Sequence, residues 1–256
     1  MVKPLERLSM AYGVKIIGFR PIVFVAPHCP EDHEQFVNEL VAKVCTATGC
    51  FAVINTKIPR QLVDLNNSEE IEKSDDPAVK RFYGDLLEMV RELSDQTEWP
   101  WVLFVHFTPR FYTKRRFLYE REQNGRLAVR SPGQSRDFDI DIGCGLAETL
   151  AVHFSSGEGV ADEDRYVSAK KIRRNRGHGT VTCNQNRVAH LQRLLTLGGM
   201  RTKVGREWAA LAESNMVQHV AQKIGSVSVV QLEIIQDVGE RREAVEALIQ
   251  VVENLI

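Results

Sequence analysis

The chain has 256 residues, enough for one large α/β domain or two small ones and for a full core without staples. Its 43% hydrophobic and 26% charged content excludes disordered, collagen-like and coiled-coil classes, and a formal net charge of −1 gives no global case for nucleic acid or an anionic membrane. Cys29, Cys45, Cys50, Cys144 and Cys183 are odd in number without a CxxC pair, no signal peptide is apparent in Met1 to Tyr12, and no apolar run reaches a membrane span, so a cytoplasmic protein in a reducing compartment is expected.

Lys15 to Phe19 and Ile22 to Ala26 read as two short strands around Arg20-Pro21. Glu31 or Asp32 is placed to cap a helix whose Phe36, Leu40, Val41 and Val44 keep a helical period, and Gly49 ends it. Cys50 to Asn55 is the next strand, giving the strand–helix–strand order of a parallel α/β sheet. Residues 57–78 are polar and irregular and read as a long functional loop. Asp76-Pro77 opens an amphipathic helix to about Ser94, and Trp101 to Phe107 is a buried strand. Arg110 to Arg130 is aromatic and basic, a hairpin or an excursion over one face. Phe138 to Ile142 alternates with period two, so Asp139 and Asp141 face the same way, ending at Gly143-Cys144-Gly145. Helices are expected over Ala161 to Arg174, Asn186 to Leu197, Glu207 to Ile224 and Glu240 to Ile256, with a core strand over Val227 to Ile234. With no repeat, low-complexity tract or linker, one domain over 1–256 is the economical organisation.

Three apolar runs deliver chemistry. Val23 to Pro27 leads to His28, with Glu31 three residues on; Trp101 to Val105 delivers His106; Val227 to Leu232 delivers Glu233. Zinc accepts imidazole nitrogen and carboxylate oxygen, and three protein ligands with two close in sequence are a common catalytic arrangement. The same spacing also fits a histidine that caps a strand end or the next helix. Glu31 has rivals in Asp32, His33 and Glu34 on the same turn. Glu233 interrupts an apolar strand, where a carboxylate is costly unless paired, hydrogen-bonded or metal-bound; the alternative is an edge strand with one solvated face.

Four segments in order resemble the N-formylglutamate amidohydrolase family, a relative of the zinc carboxypeptidases and poly-γ-glutamate hydrolases. They are Ala26-Pro27-His28, the loop Arg60-Gln61-Leu62-Val63-Asp64-Leu65-Asn66, Val105-His106, and Val230-Gln231-Leu232-Glu233-Ile234. Together they span residues 23 to about 235. The resemblance implies a three-layer α/β/α fold with a mixed, mostly parallel sheet, of the zinc carboxypeptidase-like (phosphorylase/hydrolase-like) kind. It implies Zn2+ on His28, Glu31 and His106, with Glu233 as general base. Arg60 would bind a substrate carboxylate or stabilise the oxyanion, with Asp64 and Asn66 as further substrate-binding residues; Arg110, outside the resembling segments, is this chain's own further candidate for that part. The reaction implied is hydrolysis of an amide or formamide bond in a small N-acylated amino acid or γ-linked peptide. The alternatives are a zinc carboxypeptidase, or a non-catalytic anion- or nucleic-acid-binding protein on the same fold.

One departure bears on substrate. The family loop usually continues with arginine after Asn66, and this chain has Asn67. The carboxylate grip then falls to Arg60, or to Arg110, Arg173, Arg174 or Arg176, or the substrate is not acidic. The basic run Lys170 to Arg176 before Gly177-His178-Gly179 reads as a solvated helix end with a glycine cap, with an anion site as the alternative. Asp137, Asp139 and Asp141 read as an exposed acidic face or partners for nearby arginines, and Cys29 as a small packed residue.

Overall fold

The computed structural model describes residues 5–31, 34, 36–110, 116–121, 127–130, 136–146, 150–153, 180–205, 208, 210, 212 and 214–255. Its elements are β1 (Glu6–Ser9), β2 (Gly13–Ile17), β3 (Ile22–Ala26), α1 (Val37–Thr48), β4 (Phe51–Asn55), α2 (Ser68–Lys73), α3 (Pro77–Gln96), β5 (Trp101–Thr108), β6 (Arg116–Arg121), β7 (Leu127–Arg130), β8 (Ile140–Gly143) and β9 (Leu150–His153). They continue with α4 (Gln185–Leu197), β10 (Thr202–Val204), α5 (Met216–Ile224), β11 (Ser228–Ile235), α6 (Gln236–Gly239) and α7 (Arg242–Asn254).

Eight strands form one mixed sheet in the order β1-β2-β4-β3-β5-β11-β8-β10. Its centre is parallel, from β4 through β3 and β5 to β11, while β1, β2 and β8 introduce antiparallel pairs. β3, β5 and β11 are buried along their whole length, as strands covered by helices on both faces must be. On one face Phe24, Leu103, Val105, Leu232 and Ile234 pack with α1, α4 and α7. On the other, Val23, Val25, Val102, Phe104 and Val229 pack with α3 and α5. The three layers of α/β/α follow.

Local chemistry sets the helix ends. Asp76 accepts from Ala78 N at 2.7 Å and Pro77 occupies the first turn, so α3 begins where the sequence placed it, and its buried stripe includes Val79, Phe82, Leu86, Leu87, Val90 and Leu93. Gly49 closes α1 with φ 80°, and a Cβ there would lie 2.1 Å from the Phe19 ring, so both conformation and packing require glycine.

Several expectations are corrected. The residue flanking α1 is Phe36, with no side-chain cap; Glu31 accepts from the neighbouring loop instead, and Asp32 lies outside the described residues. The long loop over residues 57–78 contains α2, because Asn67 accepts from Glu69 N and starts a short helix. The helix expected from Glu207 begins at Met216, where the Asn215 side chain accepts from Val217 N. Arg110 to Arg130 contains the hairpin β6–β7, which joins β9 in a separate three-stranded sheet. β1 and β10 have no signal in the sequence beyond three or four ordinary residues each. The expected helix over Ala161 to Arg174 and the basic run with its glycine turn lie outside the described residues.

The acidic alternation at β8 is no exposed face. Asp141 is fully buried and accepts from Trp208 N at 2.9 Å. Asp139 is also buried, held by Arg201 through its backbone N–H and guanidinium and by Arg110. Burial alone would raise the Asp139 pKa, but Arg201 and then Arg110 outweigh it and hold the carboxyl below its ordinary value. A depressed carboxylate pKa contributes stability that is present above the unfolded pKa and lost as pH falls through the folded one. Asp139→Asn should therefore lower stability at neutral pH by about 1–3 kcal/mol. In denaturant titrations its deficit against the parent should shrink below about pH 4.

Candidate functional site

The carboxyl ends of the adjacent parallel strands β3, β5 and β11 open on one edge of the sheet, the edge at which open α/β folds place ligands. His28 stands two residues beyond β3. His106 and Glu233 are not at strand ends, as expected from the sequence, but inside strands that continue to Thr108 and Ile235 because those last residues still pair. The register sets His106 directly beside Glu233, and Glu233 beside Asp141 on its other flank.

Three buried side chains converge there. Glu34 Oε1 lies 3.2 Å from His28 Nδ1, and Glu34 Oε2 lies 3.3 Å from His106 Nδ1. The two imidazole centroids are 4.9 Å apart. His28, Glu34 and His106 are 2%, 3% and 3% exposed, so each charge on them depends on the others. Burial would raise the Glu34 pKa, but His106 and then His28 reverse this and take it to about 2. Burial likewise opposes the charge on His28, yet the hydrogen bonds it donates to Asp64 and Glu34 raise its pKa to about 9.

The acid that joins the histidines is thus Glu34, not Glu31. Successive turn hydrogen bonds, Glu31 N to His28 O and Glu34 N to Glu31 O, each 2.9 Å, bring the chain back beneath the imidazoles. Glu31 turns to the neighbouring loop instead, accepting from Arg60 N at 2.9 Å and Gln61 Nε2 at 3.1 Å. Asp32 and His33 lie outside the described residues. Cys29 is buried beside the site, its Sγ 3.9 Å from Ala26 O and its pKa driven well up, first by burial and then by Glu34.

The other expected residues fall into two groups. Asp64 and Arg60 reach the site: Asp64 Oδ1 lies 2.7 Å from His28 Nε2, and Arg60 Nε and Nη2 bind Asp64 Oδ2 at 2.9 and 2.8 Å. Burial would raise the Asp64 pKa, but His28 and Arg60 hold it below its ordinary value. Asn66 donates to Gln231 Oε1 at 3.4 Å. Arg110, by contrast, is engaged by Asp237 and Asp139 and by the Arg136 carbonyl.

Glu233 is buried with Gln231 Nε2 2.6 Å from its Oε1. Burial raises its pKa to about 7; His106 and the Gln231 amide pull it down, while Glu34 and Asp141 push it up. Gln231, Asn215 and Asp141 are site neighbours whose role the sequence did not disclose.

The trio could hold a metal ion. Two imidazoles and one carboxylate form a donor set that zinc accepts. One ligand atom from each residue fits within 4.8 Å of the others. His106 Nε2 is buried without a hydrogen-bond partner among the described residues, a desolvated nitrogen of the kind a cation satisfies. The pairing of Asp64 with His28 is the carboxylate–histidine support that orients metal-binding imidazoles.

The molecule is thus an α/β protein with a mixed sheet between helical layers and a His–Glu–His cluster at the carboxyl edge of the parallel strands. It is similar over 99% of its length to 96% of N-formylglutamate amidohydrolase from Ralstonia eutropha JMP134, with 17% identity and a TM-score of 0.50. A gene product of Agrobacterium tumefaciens matches 99% of this chain over 94% of its own, with 10% identity and a TM-score of 0.53. Succinylglutamate desuccinylase from Chromobacterium violaceum matches 98% of this chain over 74% of its own, with 12% identity and a TM-score of 0.48. At these identities the likeness is one of fold, and the fold is N-formylglutamate amidohydrolase-like, as the sequence motifs implied. No protein-family model and no curated protein matches the sequence. Among the described residues no helix is long and apolar enough to cross a membrane.

In metal-stripped protein, carboxyl-selective NMR should find one glutamate titrating near pH 7, and Glu233→Gln should remove that signal. A raised folded pKa makes the native state the better proton binder between the two pKa values, so this residue's contribution to stability falls as pH rises from about 4.5 to about 7. Glu233→Gln should flatten that slope.

Proposed function

We propose that this protein is a zinc-dependent amidohydrolase that cleaves the amide or formamide bond of a small N-acylated amino acid, working as one domain over 1–256. The observation that carries the reading is the convergence of His28, Glu34 and His106, all buried, next to the buried Glu233. The fold likeness to an N-formylglutamate amidohydrolase supports it.

His28, Glu34 and His106 would hold the ion. Bound there, zinc would supply a Lewis acid that polarises the scissile carbonyl and acidifies water. Glu233 takes the proton of the attacking water as the carbon–oxygen bond forms. It then delivers that proton to the nitrogen as the carbon–nitrogen bond breaks. A pKa near 7 suits a group that must both accept and return a proton at neutral pH. Asp64 keeps His28 in one orientation by accepting from Nε2, leaving Nδ1 toward Glu34. Arg60, half exposed and one hydrogen bond beyond Asp64, is the cation best placed for a substrate carboxylate.

Zinc-loaded protein should hydrolyse at least one member of a panel of formyl-, acetyl- and γ-glutamyl amino acids. Hydrolysis of carboxyl-terminal peptide bonds alone would assign a carboxypeptidase instead. His28→Ala, His106→Ala and Glu34→Ala should each lose stoichiometric zinc, whereas Glu31→Ala should keep both metal and activity. Glu233→Gln should retain zinc and lose roughly 10²–10⁴-fold in kcat. Protein that never binds zinc stoichiometrically, or a Glu233→Gln variant as active as the parent, would sink the reading.

A further inference from the structure

Three amides meet behind the base. Gln231, 3% exposed, precedes Glu233 by two residues in β11, so both side chains rise from the same face of the sheet. Gln231 Oε1 receives Asn66 Nδ2 at 3.4 Å and Asn215 Nδ2 at 3.3 Å, while Gln231 Nε2 donates to Glu233 Oε1 at 2.6 Å. An amide nitrogen donates and cannot accept, so two NH2 groups aimed at one end of Gln231 fix that end as oxygen. A flipped amide would set NH2 against two NH2 groups and its carbonyl against a carboxylate.

We infer that Gln231, clamped by Asn66 and Asn215, is the positioning residue of the general base. It occupies Oε1 of Glu233 and leaves Oε2 as the oxygen that exchanges a proton with water and the leaving nitrogen. The clamp also ties the two halves of the site together. Asp64 Oδ1 accepts both His28 Nε2 at 2.7 Å and Asn66 N at 2.8 Å, so the loop that orients an imidazole also orients the base. That loop is anchored to the start of α5 by Met216 N to Asn66 O, 3.1 Å, and by Ser68 N to Ser214 O, 2.7 Å. Asn66 and Asn215 are 149 positions apart in numbering yet serve one acceptor.

The inference deepens the amidohydrolase reading and rests on it. The test uses full-length zinc-loaded protein and the best substrate of the panel. Gln231→Met keeps the length and burial of the side chain without its donor. It should lower kcat roughly 10- to 100-fold, the range for loss of an orienting partner, with KM and zinc content unchanged. Asn215→Ser, which keeps a cap for α5 but removes the donor to Gln231, should lower kcat less, and the double variant should fall no further than Gln231→Met, because the clamp acts only through that amide. A Gln231→Met kcat equal to the parent's, or losses that multiply in the double variant, would overturn the inference while leaving Glu233 as base. If Gln231→Met fails to fold, Asn215→Ser alone decides: an unchanged kcat at full zinc content rejects the clamp. A Glu233→Gln variant that remains active would instead remove the underlying reading.

Discussion

The register of β5 against β11 is the constraint on which the site depends. Paired from Ser228 with Trp101 through Ile235 with Thr108, the two strands bring His106 and Glu233 side by side. Side chains alternate across a sheet, so a slip of one residue would exchange the faces of β11. Glu233 and Gln231 would then enter the apolar layer against α1 and α7, now filled by Val230, Leu232 and Ile234. A buried carboxylate without partners is far more expensive than a displaced methyl group. The apolar face therefore locks the register, and the polar face inherits its geometry. Function at this edge is a by-product of hydrophobic alternation on the reverse side of the same strands.

Given that placement, neighbouring charges separate two acids of the same type. Glu34 sits between two imidazoles and is held at about 2, so it is a permanent anion. Glu233 is raised first by burial, which His106 and the Gln231 amide oppose and the carboxylates Glu34 and Asp141 reinforce, and it rests near 7. In the proposed function, environments that drive the two acids apart in this way suit Glu34 to the ligand's part and Glu233 to the proton carrier's.

Much of the scaffold was legible from the chain. The stripe of α3 and its Asp76-Pro77 start are local signals, and local signals survived folding intact. His28, His106 and Glu233 stood out because each breaks or ends an apolar run. Glu34 was only one of several acids and histidines on a turn, since two 2.9 Å backbone hydrogen bonds, invisible in residue spacing, decide which carboxylate swings under the imidazoles. Asp141 looked solvent-facing because alternation reveals that two residues share a face, not whether that face is covered. Asn215 has no sequence signal for the site at all: its nearness to Gln231 is created by the path of the chain from α5 into β11.

Asn67, where the resembling family usually has arginine, shows how the substrate end of the site differs. Its side-chain oxygen accepts from Glu69 N to start α2, and its amide lies 3.3 Å from Glu70, so the residue is committed to a helix cap. Of the two described cations expected to bind substrate, Arg110 is held by Asp237 and Asp139, and Arg60 by Asp64. On the proposed reading, a substrate carboxylate approaching Arg60 would share that guanidinium with Asp64, the same acid that contacts His28. Drawing Arg60 away would leave Asp64 more negative toward the imidazole and strengthen its hold on Nε2. In the proposed hydrolase, substrate binding at Arg60 and the orientation of His28 would in this way be coupled through Asp64.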